Sequence, residues 1–372
     1  MVSKMGRIKC GVVGVGNCFA GLYQGLHYYK EHPEKEVIGL MHQDMAGYKT
    51  QDIEFVSAFD VASNKVGKTL DEATYAAPNM VNWIKLPKSD VIVQESPVLD
   101  GVGKYVKDVI NPVEENSPEE LRDKIKSHIK ETKTEIIVSY LPVGSQKAAE
   151  FWAEICLETG TAFVNCMPVF IASDPDWESR FREKTIPIIG DDIKGQLGAT
   201  IVHRVLTRLT QDRGAELDKT YQLNVGGNTD FQNMLERSRL ESKKVSKTES
   251  VQSQMKKRIP EDNIHIGPSD HVPFLKNTKL CFLYMEGRQW ADIPYKIDLK
   301  LDVDDKANSA GIVVDAVRAA RIALDRRYGG AVESASAYLM KHPPVQMSDS
   351  EAKMALNYFI MDREQKTGVK NQ

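Results

Sequence analysis

Lys243 and Lys247 stand four residues apart in the stretch Leu240-Glu241-Ser242-Lys243-Lys244-Val245-Ser246-Lys247-Thr248-Glu249-Ser250. On a helix that spacing puts both ammonium groups on one face, with no acid between them, and they repel until an anion sits against them. Phosphate is the obvious occupant, since lysine is a common point-charge partner for it. A lysine crowded by other cations also has a depressed pKa and becomes a usable base or proton carrier near neutrality. A solvated basic helix would read the same way from this stretch alone. The repulsion further predicts that Arg237–Arg258 is mobile without ligand and ordered with it. Nucleic acid is a poor partner for this segment, which lacks interleaved aromatics for base stacking and is diluted by Glu236, Glu241 and Glu249.

The elements around these lysines begin with a strand, Arg7–Gly14, running into Gly14-Val15-Gly16-Asn17-Cys18-Phe19 and the apolar helical pattern of Leu22, Leu26 and Tyr29. Strand, glycine turn and helix form the entry to a dinucleotide fold, where backbone amides at the helix N-terminus receive a pyrophosphate. Phe19 stands where the third glycine of the fingerprint is usual, so the motif is weak in isolation. Glu54–Asp60 reads as a second strand whose terminal Asp60 is placed to take the ribose hydroxyls of NAD, an acid there favouring NAD over NADP. Asp60 lies 44 residues beyond Gly16, against about 20 in the usual pattern. The polar stretch Glu31–Asp52 reads as an insertion that fills the gap.

Alternation continues with strands at Asp90–Gln94, Glu135–Leu141 and Thr161–Cys166 and helices after Ser117-Pro118-Glu119-Glu120 and over Gln146–Glu158. Ser117 and Glu120 make a capping box, with proline at the first helical position. Five strands alternating with helices imply a doubly wound parallel α/β sheet of Rossmann type, with Gly14, Asp60, Ser139 and Asn165 along its ligand-binding edge. Past a helix at about Leu197 to Thr210, strands at Lys219–Val225, Lys279–Glu286 and Tyr295–Val303 are of another kind. In the last, Tyr295, Ile297, Leu299, Leu301 and Val303 alternate with Lys296, Asp298, Lys300 and Asp302. That period predicts an antiparallel sheet with one covered face. The division expected is 1–194 plus 305–372 for a dinucleotide domain, with an inserted α+β domain over 195–304 for substrate and assembly. A helix from about Asn308 to Arg326 returns the chain to the first domain.

The 372 residues allow two domains, and the net charge of −3 gives no field that would favour nucleic acid or an anionic membrane. No apolar run reaches membrane-span length, and the first residues lack a signal-peptide core. Five scattered cysteines without CxxC spacing argue against a disulfide framework and a structural zinc site. The expectation is a reduced, cytoplasmic protein.

Several motifs in order resemble the myo-inositol-1-phosphate synthase family, in its shorter bacterial and archaeal type. They are Gly190-Asp191-Asp192-Ile193-Lys194, Leu223-Asn224-Val225-Gly226-Gly227-Asn228-Thr229-Asp230, Leu240–Lys247, Gly267-Pro268-Ser269-Asp270-His271, Asp305 with Asn308-Ser309-Ala310-Gly311, and Tyr338-Leu339-Met340-Lys341. The resemblance implies an isomerase of inositol and phospholipid biosynthesis. It would convert D-glucose 6-phosphate to 1L-myo-inositol 1-phosphate with an NAD that is regenerated in each turnover. It implies Lys243 as the group exchanging a proton with the C5 hydroxyl, and Lys247, Lys279 and Lys341 as cations for phosphate and developing oxyanions. Gly195, Gln196, Asn224, Asn228 and Asp230 would line the substrate. Gly14, Gly16, Asn17, Cys18, Asp60, Ser139, Asp192 and Asp305 would serve the cofactor, and the two last acids could also help to hold a divalent or monovalent cation. A homotetramer is implied as well. The turn Asp192-Ile193-Lys194-Gly195-Gln196 is one residue shorter than in longer relatives and lacks their serine, which leaves one phosphate hydrogen bond unassigned. An NAD-dependent sugar-phosphate dehydrogenase with net redox, or a non-enzymatic NAD-sensing or scaffold protein, would share many of these features.

Overall fold

A computed structural model describes residues 6–113, 115–267 and 270–362; Pro268 and Ser269 of the fourth motif lie outside the described residues. In chain order the first elements are β1 (Ile8–Val13), α1 (Asn17–Glu31), β2 (Ile53–Asp60), α2 (Leu70–Tyr75), β3 (Val93–Glu95), α3 (Pro118–Thr132), β4 (Ile136–Ser139), α4 (Gln146–Thr159), β5 (Ala162–Asn165), α5 (Pro175–Glu183) and β6 (Pro187–Ile189). There follow α6 (Ala199–Asp212), β7 (Glu216–Gly226), α7 (Thr229–Asn233), α8 (Glu241–Gln252), β8 (Ile264–Ile266), β9 (Asp270–His271), β10 (Thr278–Arg288) and β11 (Pro294–Asp304). The chain ends through α9 (Ala307–Asp325), β12 (Gly330–Ala331), α10 (Glu333–Leu339) and α11 (Asp349–Ile360).

The first sheet is parallel throughout, in the order β12-β6-β5-β4-β1-β2-β3. It has seven strands rather than the five expected; β6 and β12 are three and two residues long, too short to show a period. Strand order reverses around β1, which pairs with β2 on one side and β4 on the other. The crevice beyond the carboxyl ends of β1 and β4 is where ligands bind in such sheets. Helices α1 and α9 cover one face, with Phe19, Leu22, Val313 and Val317 in the core. Helices α3 and α4 cover the other through Leu121, Ile125, Ile129 and Trp152. The predicted capping box starts α3: Glu120 N donates to Ser117 Oγ, and Ser117 N to Glu120 Oε2. Gly160, at φ +75°, stops α4.

The second sheet runs β11-β10-β7-β8, with β9 beside β7. Its long strands are antiparallel as expected, whereas β8 and β9 join β7 in parallel. Along β11 the alternation is present, but its apolar residues are only half-buried because this is an edge strand. Leu217, Cys281, Leu283 and Met285 form the small core beneath this sheet.

The stretch 31–52 is more than an insertion. Arg318, fully buried on α9, donates to the carbonyls of His42 (2.6 Å), Tyr48 (3.2 Å) and Gln43 (3.3 Å) and pairs with buried Asp315. That guanidinium satisfies carbonyls that would otherwise be buried without donors. Arg318→Met should cost about 3–5 kcal/mol by orphaning Asp315 and the three carbonyls, read as a lower midpoint in denaturant unfolding. A loss below about 1 kcal/mol would show that the segment holds itself in place.

Candidate active site

Gly14, at φ +90°, makes the turn after β1, and a Cβ there would stand 2.7 Å from Tyr140 O. Only glycine tolerates both that angle and that approach. The turn delivers Gly16, Asn17 and Cys18, at the start of α1, to the wall of a large cleft. No side chain caps this helix, and a Cβ on Gly16 would meet nothing within 4 Å. Free N–H groups facing open space at the positive end of a helix dipole make an anion cradle. Phe19, in place of the third glycine, is fully buried with its ring 4.9 Å from that of Phe55.

Asp60 has a different position from the one expected. Its carboxylate accepts from the backbone N–H groups of Val15 (2.7 Å), Val61 (2.8 Å) and Ala62 (2.9 Å), and it does not line the cleft. Here it braces the glycine turn. Lys65 works beside it, donating to Val15 O at 2.8 Å. Ser139 is fully buried at the end of β4, away from the cleft.

The cleft spans about 1480 Å³, its open mouth included. The face of α8 carrying Lys243 and Lys247 lines it, as do Lys279 from β10 and Lys341 after α10. Three carboxylates hold these cations apart. Asp230 faces Lys243 (3.4 Å), Asp305 faces Lys279 (3.1 Å), and Asp192 faces Lys341 (2.7 Å). The last pair is set by backbone: Lys341 N donates to Asp192 O, and Lys194 N to Leu339 O, so the segments 191–194 and 339–342 lie antiparallel. Ser246 adds a hydrogen bond to Asp192 at 2.7 Å.

Burial would raise each of these acids, yet Lys341 and Lys243 hold Asp192 below the ordinary carboxylate range. The same opposition leaves Asp305 well below it, through Lys279 and Lys306. For Lys279, burial alone would lower the ammonium, but Asp305 keeps it above its usual value. Lys247 is the exception. It forms no ion pair among the described residues, and burial, then Lys243, Lys279 and Lys341, push it well below the ordinary lysine range. Also in the cleft lining, burial and the Arg204 charge push Lys194 down to about 7.

The structure thus gathers Gly16, Asn17, Cys18, Asp192, Gly195, Asn228, Asp230, Asp305 and the four lysines around one space. Two other expected substrate residues lie elsewhere. Gln196 turns to donate to Gly39 O, and buried Asn224 binds Gln222 and Gly267 O within the second sheet. Lys306, Tyr140 and Thr200 line the cleft without having been singled out. For Lys306 a signal was present, an ammonium next in sequence to Asp305. The hydroxyl of Tyr140, buried in the cleft wall, has no hydrogen-bond partner among the described residues.

A doubly wound dinucleotide fold whose switch-point cleft opens onto a chamber of ammonium groups defines a nucleotide-cofactor protein that handles a second, anionic ligand. A model of the myo-inositol-1-phosphate synthase family matches residues 198–306. The chain is 51% identical over 368 residues to the inositol-3-phosphate synthase of Mycolicibacterium smegmatis, covering 97% of this chain and 99% of that one. It is 48% identical to the inositol-3-phosphate synthase of Corynebacterium glutamicum, covering 95% and 98% of the two chains. A myo-inositol-1-phosphate synthase-related protein from Thermotoga maritima shares the fold, with a TM-score of 0.82 at 23% identity over 96% of this chain and 100% of that one. The chain belongs to the myo-inositol-1-phosphate synthase family.

The depressed Lys247 has a measurable consequence. Burial and the neighbouring ammonium groups favour its neutral amine, and a bound dianion favours the ammonium. Sulfate binding, followed by calorimetry in buffers of different ionisation enthalpy, should be accompanied by net proton uptake. In Lys247→Arg, whose guanidinium stays charged, that uptake should vanish; equal uptake in both proteins would assign the proton elsewhere.

Proposed function

We propose that the chain is an inositol-3-phosphate synthase, converting D-glucose 6-phosphate to 1L-myo-inositol 1-phosphate. The observation that carries this reading is the convergence of Lys243, Lys247, Lys279 and Lys341 on one chamber beside the α1 N-terminus. With Lys306 counted, five of the seven lysines that line the cleft stand around three carboxylates, Asp192, Asp230 and Asp305, an excess of cations that suits an anionic substrate.

The α1 N-terminus, with Gly16, Asn17 and Cys18, fits a dinucleotide pyrophosphate, and Asp192 and Asp305 are assigned to its nicotinamide end. NAD, when bound, supplies a reversible hydride acceptor for C5 of the sugar, and no net redox results. Lys243, held by Asp230, exchanges the proton of the C5 hydroxyl. A C5 ketone acidifies C6, and the ammonium groups of Lys279 and Lys341 balance the enolate oxygen. C6 passes its proton to a neutral amine of the cluster and attacks the C1 aldehyde, the C1–C6 bond forms as the C1–O1 π bond breaks, and O1 takes that proton back from the cluster. Preorganised cations in a site shielded from water stabilise such oxyanions without reorganising as charge develops. Lys247 and the backbone at Gly195 are assigned to the substrate phosphate, with Asn228 beside the sugar.

In this division of labour, 1–194 with 305–372 holds the cofactor, while 195–304 supplies substrate contacts and assembly surface. Helix α6 buries its polar side, Thr200, His203, Arg204 and Thr207, and turns Val205 (52% exposed) and Leu209 (50%) outward, with Leu197 exposed just before the helix. Tyr221, Leu223 and Phe282 are also exposed, on the open face of the second sheet. Such patches mark interaction surfaces, and a second copy in a homotetramer is the proposed cover. Among the described residues no helix is long and apolar enough to cross a membrane. The five cysteines are free, consistent with a reduced, cytoplasmic setting.

Glucose 6-phosphate with catalytic NAD should yield an inositol phosphate, identified by NMR, without accumulation of NADH. Stoichiometric NADH would instead mark a sugar-phosphate dehydrogenase. Lys243→Ala and Lys341→Ala should each lower product formation by about 10³-fold and retain bound NAD; binding without any sugar conversion in the wild type would favour the scaffold reading. For assembly, Val205→Glu with Leu209→Glu should shift the light-scattering mass from tetramer to smaller species, and an unchanged mass would place the interface elsewhere.

A further inference from the structure

Asp305 is the one acid of the cleft with both oxygens already matched by ammonium groups. Lys279 Nζ donates to Oδ1 at 3.1 Å and Lys306 Nζ to Oδ2 at 2.8 Å. Lys306 is 1% exposed, and its ammonium also lies 3.4 Å from Cys18 Sγ in the first turn of α1. It therefore stands at the junction of the glycine turn, the β11–α9 corner and the sugar chamber. Asp192, the other acid assigned to the cofactor end, spends its oxygens on Lys341 and Ser246.

A divalent ion wants several anionic or neutral oxygens that no other cation has claimed. Among the described residues, no cluster of three or more His, Cys, Asp or Glu side chains is arranged to hold one. A free cation drawn to Asp305 would meet two fixed ammonium groups on the same carboxylate. The donor set here does not fit the divalent or monovalent ion that the family resemblance allows.

We propose that Lys306 is a tethered cation, a positioning residue that fixes Asp305 and supplies at the cofactor–substrate junction the positive charge a soluble ion would otherwise bring. The proposal rests on the synthase reading, and it makes this protein's reaction independent of added metal, potassium or ammonium. Asp305 and Lys306 both stay charged across the neutral range: burial opposes each, but their mutual attraction prevails, lowering the acid and raising the amine.

The test has two arms. In the first, wild-type protein is stripped with chelator and exchanged into buffer whose only small cation is tetramethylammonium. Product formation from glucose 6-phosphate should persist, and mass spectrometry should find no stoichiometric metal. Loss of product on stripping, with recovery on adding a divalent ion, potassium or ammonium, would overturn the proposal. No product under any cation condition would overturn the synthase reading instead. In the second arm, Mn²⁺ binding is titrated by electron paramagnetic resonance, which needs no turnover. Wild-type protein should not bind Mn²⁺ in the cleft, whereas Lys306→Ala should gain one site that Asp305→Asn abolishes. The same variant should lose about 100-fold in product formation, the usual scale for one preorganised charge, with part returned by ammonium or methylammonium. Full activity of Lys306→Ala without any added cation would show that the tethered charge has no such part. Should that variant fail to fold, Mn²⁺ titration and stripping of the wild type still decide the question.

Discussion

Five ammonium groups within one largely buried cleft repel one another, and the rest of the architecture is arranged to keep them there. Water would normally screen such a cluster, but burial removes most of it and strengthens every remaining interaction. Three carboxylates take up four of the five charges in direct pairs. Each of those acids is held by an element of its own: Asp192 by the antiparallel pairing of 191–194 with 339–342, Asp230 in the short helix α7, Asp305 at the end of β11. Lys247 is left as the one of the five with no partner, and its ammonium is disfavoured first by burial and then by repulsion from Lys243, Lys279 and Lys341. An anion would relieve it. On the proposed function, the substrate phosphate is that anion.

The two sheets divide the problem by geometry. In the parallel sheet, strand order reverses at β1, which aims the free N–H groups of α1 into the cleft. The antiparallel sheet contributes a rigid strand, β10, whose Lys279 is fixed in register between Gly226 and Val303. Helix α8 comes from neither sheet and carries two lysines on one face. The side chains that meet in the cleft come from widely separated parts of the chain, so no local segment can form the site alone. Lys306 and Cys18 mark the seam, 288 residues apart in sequence and in hydrogen-bond contact.

What sequence could reveal here follows from what is local. The α3 cap, the face shared by Lys243 and Lys247, and the period of β11 all depend on residues within a few positions of one another, and all were legible. The parallel sheet was readable from its alternation, but β6 and β12 are too short to carry a pattern, and their place is set by the neighbouring strand. Asp60 has the right type at the right strand end, yet its lone pairs go to the backbone of the turn it supports, a competition visible only in three dimensions. Gln196 and Asn224 likewise find partners in the scaffold. Arg318 gave no hint in sequence that it would bind the carbonyls of a segment some 270 residues away.

Helix α6 joins these threads, because its orientation is opposite to that of an ordinary surface helix. An isolated chain would gain by burying its apolar stripe and wetting its polar one; α6 does the reverse. The polar side is committed inward: Thr200 lines the cleft, and Arg204 donates to Ser250 O of α8 at 2.6 Å and pairs with Asp349 at the start of α11. Asp349 in turn reaches Lys194, in the cleft lining. Rotating α6 to hide Val205 and Leu209 would therefore pull Arg204 from α8 and remove the support of the helix that carries Lys243 and Lys247. The outward apolar stripe follows from building the chamber wall out of the polar side. On the proposed assembly, a second copy covers the stripe, and oligomerisation and the geometry of the cationic site are held by one and the same helix.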